Sequence, residues 1–375
     1  MGQTKDVIQH IKEEDCDSYS DDSLFSISSW GADLSFRELI QRHEDDELVK
    51  PELQRHYVWD RNEASRFIDS ILMGLPVPSI FLAQTEDEKL LIVDGYQRIM
   101  TVRDYVKGVF TRDGKAFKLS RSERINARWR GKAFVELDDA EQRRVKNTTI
   151  HAIIFVQKEP LGNDTSLFQV FERINTSGRS LLAQEIRNCV AQGSFNKLLL
   201  ELNSYAKWRT LFGLPEPDCR MRDMEFILRF FALSSEDYRK GTSERLSLKK
   251  FLDLYMKNNS KISDLTISKN RDRFTNAVDL VYNTFGSTAF HGISPSDPDK
   301  LVPKFSPTLC DSILIAADYS IIRKLQIPIN PEYSRRELLQ NKDFKFAITQ
   351  ETMSRKCINT RIGMASKSLF GVTYE

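Results

Sequence analysis

The stretch from Asp60 to Val106 constrains the fold more than any other part of the chain. Asp60 with Glu63 three residues on reads as a capping box, Phe67, Ile68, Ile71 and Leu72 follow at helical spacing, and Gly74 ahead of Pro76 supplies a stop. The pattern predicts a helix over 61–73. Two short apolar runs come next, Ser79–Ala83 and Leu90–Val93, separated by the polar TEDEK turn region, and they read as paired strands. The second ends at Asp94-Gly95, after which Ile99, Val102, Tyr105 and Val106 resume a helical period. A glycine turn that opens a helix aims backbone N–H groups and a positive dipole end at one spot, and such a spot favours phosphate.

The side chains at that turn suit the same chemistry. Arg98 can pair bidentately with phosphate oxygens and is expected to be largely exposed, Gln97 suits a sugar or base, and Asp94 suits a metal or a water. A plain turn with Arg98 as a solvated charge is the alternative, and spacing alone leaves both open.

Elsewhere the text is less specific. Residues 24–60 are irregular apart from a short helix near Phe36–Arg42, and Ile150–Val156 is a strand candidate. Leu167, Val170, Phe171 and Ile174 fall at i, i+3, i+4 and i+7, which predicts an amphipathic helix ended by TSGRS. A helix over about 181–192 follows. Beyond Ser194 the chain reads as helical, with segments near 195–204, 222–233, 247–258, 267–285, 307–324 and 332–341, and with Pro215, Pro217, Pro295, Pro298 and Pro303 between them. Two further polar sets stand at element ends. Arg173 and Asn175, with Gly178 after them, follow the amphipathic helix, although Asn175 reads equally as a C-cap. Gln54-Arg55 precedes Tyr57 and Trp59, where a loop packed down by its aromatics is the alternative.

At 375 residues the chain exceeds what one core usually organises, so about two domains are expected, with a boundary near 205–220. The net charge of +2 says little about partners, but its distribution says more. Residues 1–50 hold thirteen acids against five bases, and EEDCDSYSDD (Glu13–Asp22) reads as a solvated tail. Residues 103–132 hold ten bases against three acids. Lys115, Lys118, Arg121, Arg124, Arg128 and Arg130 are interleaved there with Phe117 and Trp129, a composition that suits phosphate backbones and exposed bases. A solvated basic face, or an internal partner for the acidic tail, fits equally.

Several sites are excluded by spacing. Gly108 to Lys115 fails as a P-loop, because five residues separate Gly108 from Gly114 and Ala116 follows Lys115. His10, His43, His56, His151 and His291 show neither HExxH nor paired zinc spacing nor a His-Asn-His nuclease pattern, and no GxSxG occurs. The five cysteines are scattered, without a CxxC, so a reducing cytoplasm is expected. No run approaches the roughly 20 apolar residues that span a bilayer, the N-terminus lacks a signal-peptide core, and no membrane partner is expected.

Taken in order, PELQRHYVW (Pro51 to Trp59), SILMGLPVPSIFL (Ser70 to Leu82), VDGYQRIMTV (Val93 to Val102) and FERINTSGRSLLAQEIRN (Phe171 to Asn188) resemble the N-terminal domain of the GmrSD-type restriction endonucleases. That family is related to the ParB and sulfiredoxin fold. The resemblance covers about 35–195, with a helical extension like that of single-unit members. It departs in two places: Tyr96 stands where the family's DGQQR has Gln, and Arg187 where a Lys is common. The first departure is expected to alter nucleotide choice or weaken hydrolysis; the second keeps the charge.

The resemblance implies an α+β fold, a ParB/sulfiredoxin-like mixed sheet with flanking helices, followed by an all-helical C-terminal domain. The expected division is an acidic flexible segment over 1–30, a nucleotide-binding domain over 31–205 and a helical domain over 206–375. It further implies NTP binding and hydrolysis, with magnesium, in a DNA-associated protein of bacterial or phage-defence type. Asp94, Gln97 and Arg98 would be catalytic, with Asp94 at the metal. Gln54, Arg55, Gly95, Tyr96, Arg173, Asn175, Gly178, Glu185 and Arg187 would bind nucleotide, and the basic stretch would bind DNA. The family's nuclease domain is expected to be absent here, leaving a separate nuclease subunit or a homo-oligomer as partner. A DNA- or partner-binding module without turnover is the alternative, and direct phosphodiester cleavage by the ParB-like pocket a third.

Overall fold

A computed structural model describes residues 26–49, 59–85, 87–159, 182–191, 193–218, 221–294, 297, 300–323 and 325–374. The chain divides into two compact units with the boundary between Val190 and Ala191, ahead of the helix at 194–203 and not after it.

The first unit is α+β. Its elements run β1 (Ser26–Ser35), α1 (Phe36–Glu44), β2 (Leu48–Val49), α2 (Arg61–Met73), β3 (Ile80–Gln84), β4 (Leu90–Asp94) and α3 (Tyr96–Lys107). A small hairpin, β5 (Val109–Phe110) and β6 (Lys115–Ala116), precedes a 3₁₀ turn at Phe134–Glu136, α4 (Asp139–Asn147), β7 (Thr149–Glu159) and α5 (Ala183–Val190). Five strands form one mixed sheet in the order β1-β7-β3-β4-β2. β1 and β7 are antiparallel, β7 and β3 parallel, β3 and β4 antiparallel, and β4 and β2 parallel.

Local chemistry explains most of this. The Asp60 carboxylate accepts from the N–H groups of Asn62 and Glu63 while Glu63 reaches back to the Asp60 N–H, so the capping box starts α2 at Arg61 as predicted. Asp138 and Glu141 repeat the device at α4. The pleat then sorts the sheet residues. Leu34, Ile80, Leu82, Ile92, Ile150, Ala152 and Ile154 share a core with Phe36 and Leu39 of α1, Ile68 and Leu72 of α2, Ile99, Val102 and Tyr105 of α3, and Val145 of α4. The other pleat, with Ala83, Leu91, Val93 and Phe155, is buried as well. At about 1.5–3 kcal/mol per buried aliphatic or aromatic side chain, this two-faced sheet is the main stabilising element of the unit.

β1 departs from the sequence reading. Residues 26–35, partly assigned to the flexible segment and otherwise to irregular chain, pair along their whole length with β7. SISSWGADLS has little intrinsic strand preference; the long partner β7 supplies the pairing that its own side chains do not call for.

The second unit is predominantly helical: α6 (Ser194–Asn203), α7 (Ala206–Phe212), α8 (Arg222–Leu233), α9 (Glu236–Lys240), α10 (Leu248–Asn258), α11 (Asp264–Phe285), α12 (Pro307–Ile321), α13 (Pro331–Gln340), α14 (Lys342–Thr349) and α15 (Arg355–Phe370). It is not wholly helical, because β8 (His291–Ile293) and β9 (Leu301–Phe305) form an antiparallel hairpin in the proline-rich stretch. A two-stranded ribbon consists only of edges, so Pro303 costs it no interior ladder bond. α12 is the central helix, buried on every side from Pro307 to Ser320. Its Asp311 receives the guanidinium groups of both Arg229 and Arg361. Among the described residues no helix is long and apolar enough to cross a membrane.

Candidate functional site

Asp94 is the last residue of β4, and Gly95 is the residue that lets α3 begin immediately after it. Gly95 takes φ 102° and ψ 1°, and a Cβ built on it would lie 2.2 Å from Cγ2 and 2.8 Å from Cβ of buried Ile80. Backbone conformation and the close approach of β3 therefore both demand glycine. Gly95, having no side chain, gives α3 no N-cap hydrogen bond of its own, in contrast to Asp60 at α2 and Asp138 at α4, and the positive end of α3 lies at the carboxyl end of β4.

Three side chains of the first turn point to different tasks. Arg98 is not largely exposed; its side chain is 21 % accessible. Nη1 donates to the Ser79 carbonyl at 2.9 Å and to Asp94 Oδ2 at 3.3 Å. Nε and Nη2 have no partner among the described residues, so half of the guanidinium fork anchors β3 and half remains available. Gln97 Oε1 accepts the backbone N–H of Trp59 at 3.3 Å, tying the approach to α2 onto α3. Tyr96 is 7 % exposed and belongs to the core cluster, and burial, reinforced by the charge of Asp104, pushes its hydroxyl up to about 12. Tyr96 therefore stays neutral and packs inward.

The predicted pocket also drew on residues elsewhere. Gln54, Arg55, Arg173, Asn175 and Gly178, with the amphipathic helix over 167–174, lie outside the described residues, as does the acidic tail to residue 25. Glu185 falls on α5, but its side chain is likewise outside them. Arg187 is described: it is 1 % exposed, with Nη1 donating to Gln184 Oε1 at 3.1 Å, while Gln184 Nε2 donates to Asn188 Oδ1 at 3.1 Å. This buried polar row on α5 was not anticipated beyond Arg187. The i, i+3, i+4 spacing of Gln184, Arg187 and Asn188 is the signal that carried it.

For magnesium, the described residues contain no group of three or more His, Cys, Asp or Glu side chains that could hold a metal. Asp94 offers one carboxylate, 38 % accessible and turned toward Arg98. That donor set fits a magnesium ion that takes most of its ligands from phosphates and water, and does not fit an all-protein cage.

The basic stretch is neither a helix nor an even face. Phe117 and Trp129 are buried, not displayed for stacking, and with Leu119 and Ile125 they belong to the main core. Trp129 Nε1 donates to Asp69 Oδ1 at 2.6 Å, and the Asn126 N–H binds the same oxygen at 3.1 Å, which pins the segment to α2. Lys118 pairs with Glu136 at 3.1 Å, and Arg128 with Asp138 at 3.1 Å and Glu141 at 2.6 Å. The Ala133 N–H and then Lys118 lower the Glu136 carboxyl, as the Glu141 N–H and then Arg128 lower Asp138. Arg130 spends its guanidinium on the carbonyls of Ile125 and Glu123. Lys115 lies in β6. Arg121 and Arg124 form no ion pair among the described residues.

Comparison with curated proteins and with solved structures returned no match. Residues 36–191 match the family model described as GmrSD restriction endonuclease, N-terminal domain, a span that takes in α1, the Asp94-Gly95 turn, the basic stretch and α5. Over these residues the chain carries a domain of the GmrSD N-terminal family, the family of restriction-like defence systems.

Proposed function

We propose that the carboxyl end of β4 and the start of α3 form the phosphate pole of a nucleoside triphosphate site, and that the protein hydrolyses the nucleotide in a DNA-associated defence role. The observation that carries this reading is the Asp94-Gly95 turn. A glycine required by both its backbone angle and its contact with Ile80 opens a helix directly at the end of a strand, beside an arginine whose Nε and Nη2 have no partner among the described residues. Arg98 would bind phosphate oxygens through Nε and Nη2 while Nη1 stays on Ser79. An anion at Arg98 would draw the guanidinium from Asp94 and release that carboxylate to orient a water or a metal. Gln97, held near Trp59, would position the nucleotide, with Gln54, Arg55, Arg173 and Asn175 supplied by the remaining motifs. A magnesium ion held by Asp94 and phosphate oxygens would neutralise charge on the transferred phosphoryl group.

A second reading, binding without turnover, is favoured by one observation. The Asp94 carboxylate is paired with Arg98 and so does not stand free to hold a water or a metal. A hydrolysis panel with ATP, GTP, CTP and UTP, with and without DNA, separates the two. Arg98→Ala is expected to weaken nucleotide binding about tenfold to a hundredfold, the scale of a charge-assisted hydrogen bond. Asp94→Asn is expected to bind but not turn over. Wild-type hydrolysis in Asp94→Asn would remove Asp94 from the mechanism, and nucleotide binding without hydrolysis in the wild type would establish the second reading.

A further inference from the structure

The segment from Lys118 to Glu136 encloses a shallow concavity of about 700 Å³ lined by Lys118, Arg121, Arg130, Gly131, Lys132 and Glu136. It is built from neither the Asp94 turn nor α3. Four cations face one carboxylate, so the lining carries a net +3. The single carboxylate is already occupied, since Glu136 accepts the Ala133 N–H at 2.6 Å and pairs with Lys118. Arg121 and Lys132 make no ion pair within 4 Å among the described residues. Arg130 binds carbonyl oxygens, which orient its guanidinium without neutralising it.

The frame around these charges is held in place. The Leu119 N–H donates to the Lys132 carbonyl at 3.0 Å, and Lys118 bridges Ala133. Ser120 binds Asn62 through its hydroxyl and Ser65 through its N–H. Gly131, at φ 75°, is part of the lining, and a Cβ there would lie 3.4 Å from Arg121 Cγ. The cations are therefore presented by a surface that does not have to order itself on binding, which limits the entropy lost.

We propose that this concavity seats the phosphodiester backbone of duplex DNA. The charge selects phosphate, and the open, shallow form suits a chain that passes through it better than a small ligand that must be engulfed. The aromatics decide between backbone and bases: Phe117 and Trp129 point into the core, so the concavity offers no ring on which an unpaired base could stack. The inference deepens the DNA association proposed above and rests on it, but it is independent of nucleotide hydrolysis at Asp94.

The test uses the full chain and a short labelled duplex of random sequence, with affinity measured by fluorescence anisotropy over a salt series. Each phosphate contact adds about −0.9 to the slope of log affinity against log salt, so Arg121→Gln with Lys132→Gln should flatten the slope by about 2 units. Arg121→Lys, which keeps the charge, should leave it unchanged. A control with Lys304→Gln and Lys345→Gln, which removes two exposed cations from the helical unit, should also leave it unchanged. ATP binding should be the same in all variants. Equal flattening in the control, no flattening in the concavity variant, tighter binding of a single-stranded oligonucleotide than of the duplex, or loss of ATP binding on changing Arg121 and Lys132 would each overturn the proposal. A wild type that binds duplex with the expected slopes but never binds a nucleotide would refute the proposed triphosphate site and leave this inference standing.

Discussion

Replacing Gly95 by Ala tests the geometry on which the candidate site depends. Two penalties are separable in the structure. A non-glycine residue at φ 102° costs about 1–2 kcal/mol in backbone conformation. The new Cβ would fall 2.2 Å from Ile80 Cγ2, inside a packed core where overpacking costs about 1–3 kcal/mol. Gly95→Ala is therefore expected to destabilise the first unit by about 2–5 kcal/mol, a large part of the stability of a typical domain. Ile80→Ala alone should cost about 2–5 kcal/mol through the cavity it leaves. In the double variant the 2.2 Å contact with Cγ2 disappears while the 2.8 Å approach to the Cβ at position 80 and the backbone penalty remain, so the pair should be more stable than the two single effects added, by up to about 1–3 kcal/mol. Urea unfolding followed by hydrogen exchange in peptides spanning α2 and β4 reports this unit separately from the helical one. A Gly95→Ala protein within about 1 kcal/mol of wild type, or a strictly additive cycle, would refute the claim that β3 forces glycine at the turn.

Three other outcomes are expected. Asp69→Ala leaves the buried Trp129 indole N–H and the Asn126 N–H without their acceptor, so it should cost about 1–3 kcal/mol in urea and speed exchange across residues 120–132. Asp311→Asn leaves the buried guanidinium groups of Arg229 and Arg361 without their shared carboxylate, and burial already pulls Arg361 down to about 10; a loss of about 3–5 kcal/mol in the helical unit is expected, measured by its own exchange-resolved unfolding. Burial, and then the charge of Arg335, hold His291 below its ordinary value of 6.5, so the unfolded chain binds a proton that the native state resists. That contribution is present above 6.5 and is lost as pH falls below it; thermal melts of His291→Gln should show a flatter decline than wild type on acidification from about pH 7 to about pH 5.

What the sequence disclosed follows from how local each signal is. α2 is specified within its own residues by Asp60, Glu63 and the Gly74 stop, and the structure returns Arg61–Met73. The Asp94-Gly95 turn and the pairing of β3 with β4 are nearly as local. β1 is not, since its ladder is made with a strand more than a hundred residues away in sequence. Nor could the chain text tell which way Phe117 and Trp129 face, because alternation with basic residues is compatible with display or with burial. α15 was missed because Arg361 and Ser366 occupy core positions and break the apolar period. Their partners, the Asp311 carboxylate and the Val372 carbonyl, belong to other parts of the fold.

The same distinction separates the parts of the VDGYQR motif. Gly95 is required by the fold, through its backbone angle and the contact with Ile80, and would be kept whether or not anything bound there. Gln97 and half of the Arg98 guanidinium also serve the fold, by fastening Trp59 and Ser79. What the described contacts leave over is small: the Nε and Nη2 groups of Arg98 and an Asp94 carboxylate held only by Arg98 through one oxygen. Tyr96, the position that departs from the family pattern, packs into the core of the unit. Burial pushes its hydroxyl up to about 12, so the group is neutral at neutral pH. Where the family pattern has Gln, this chain therefore carries a buried, neutral aromatic ring directly after the Asp94-Gly95 turn.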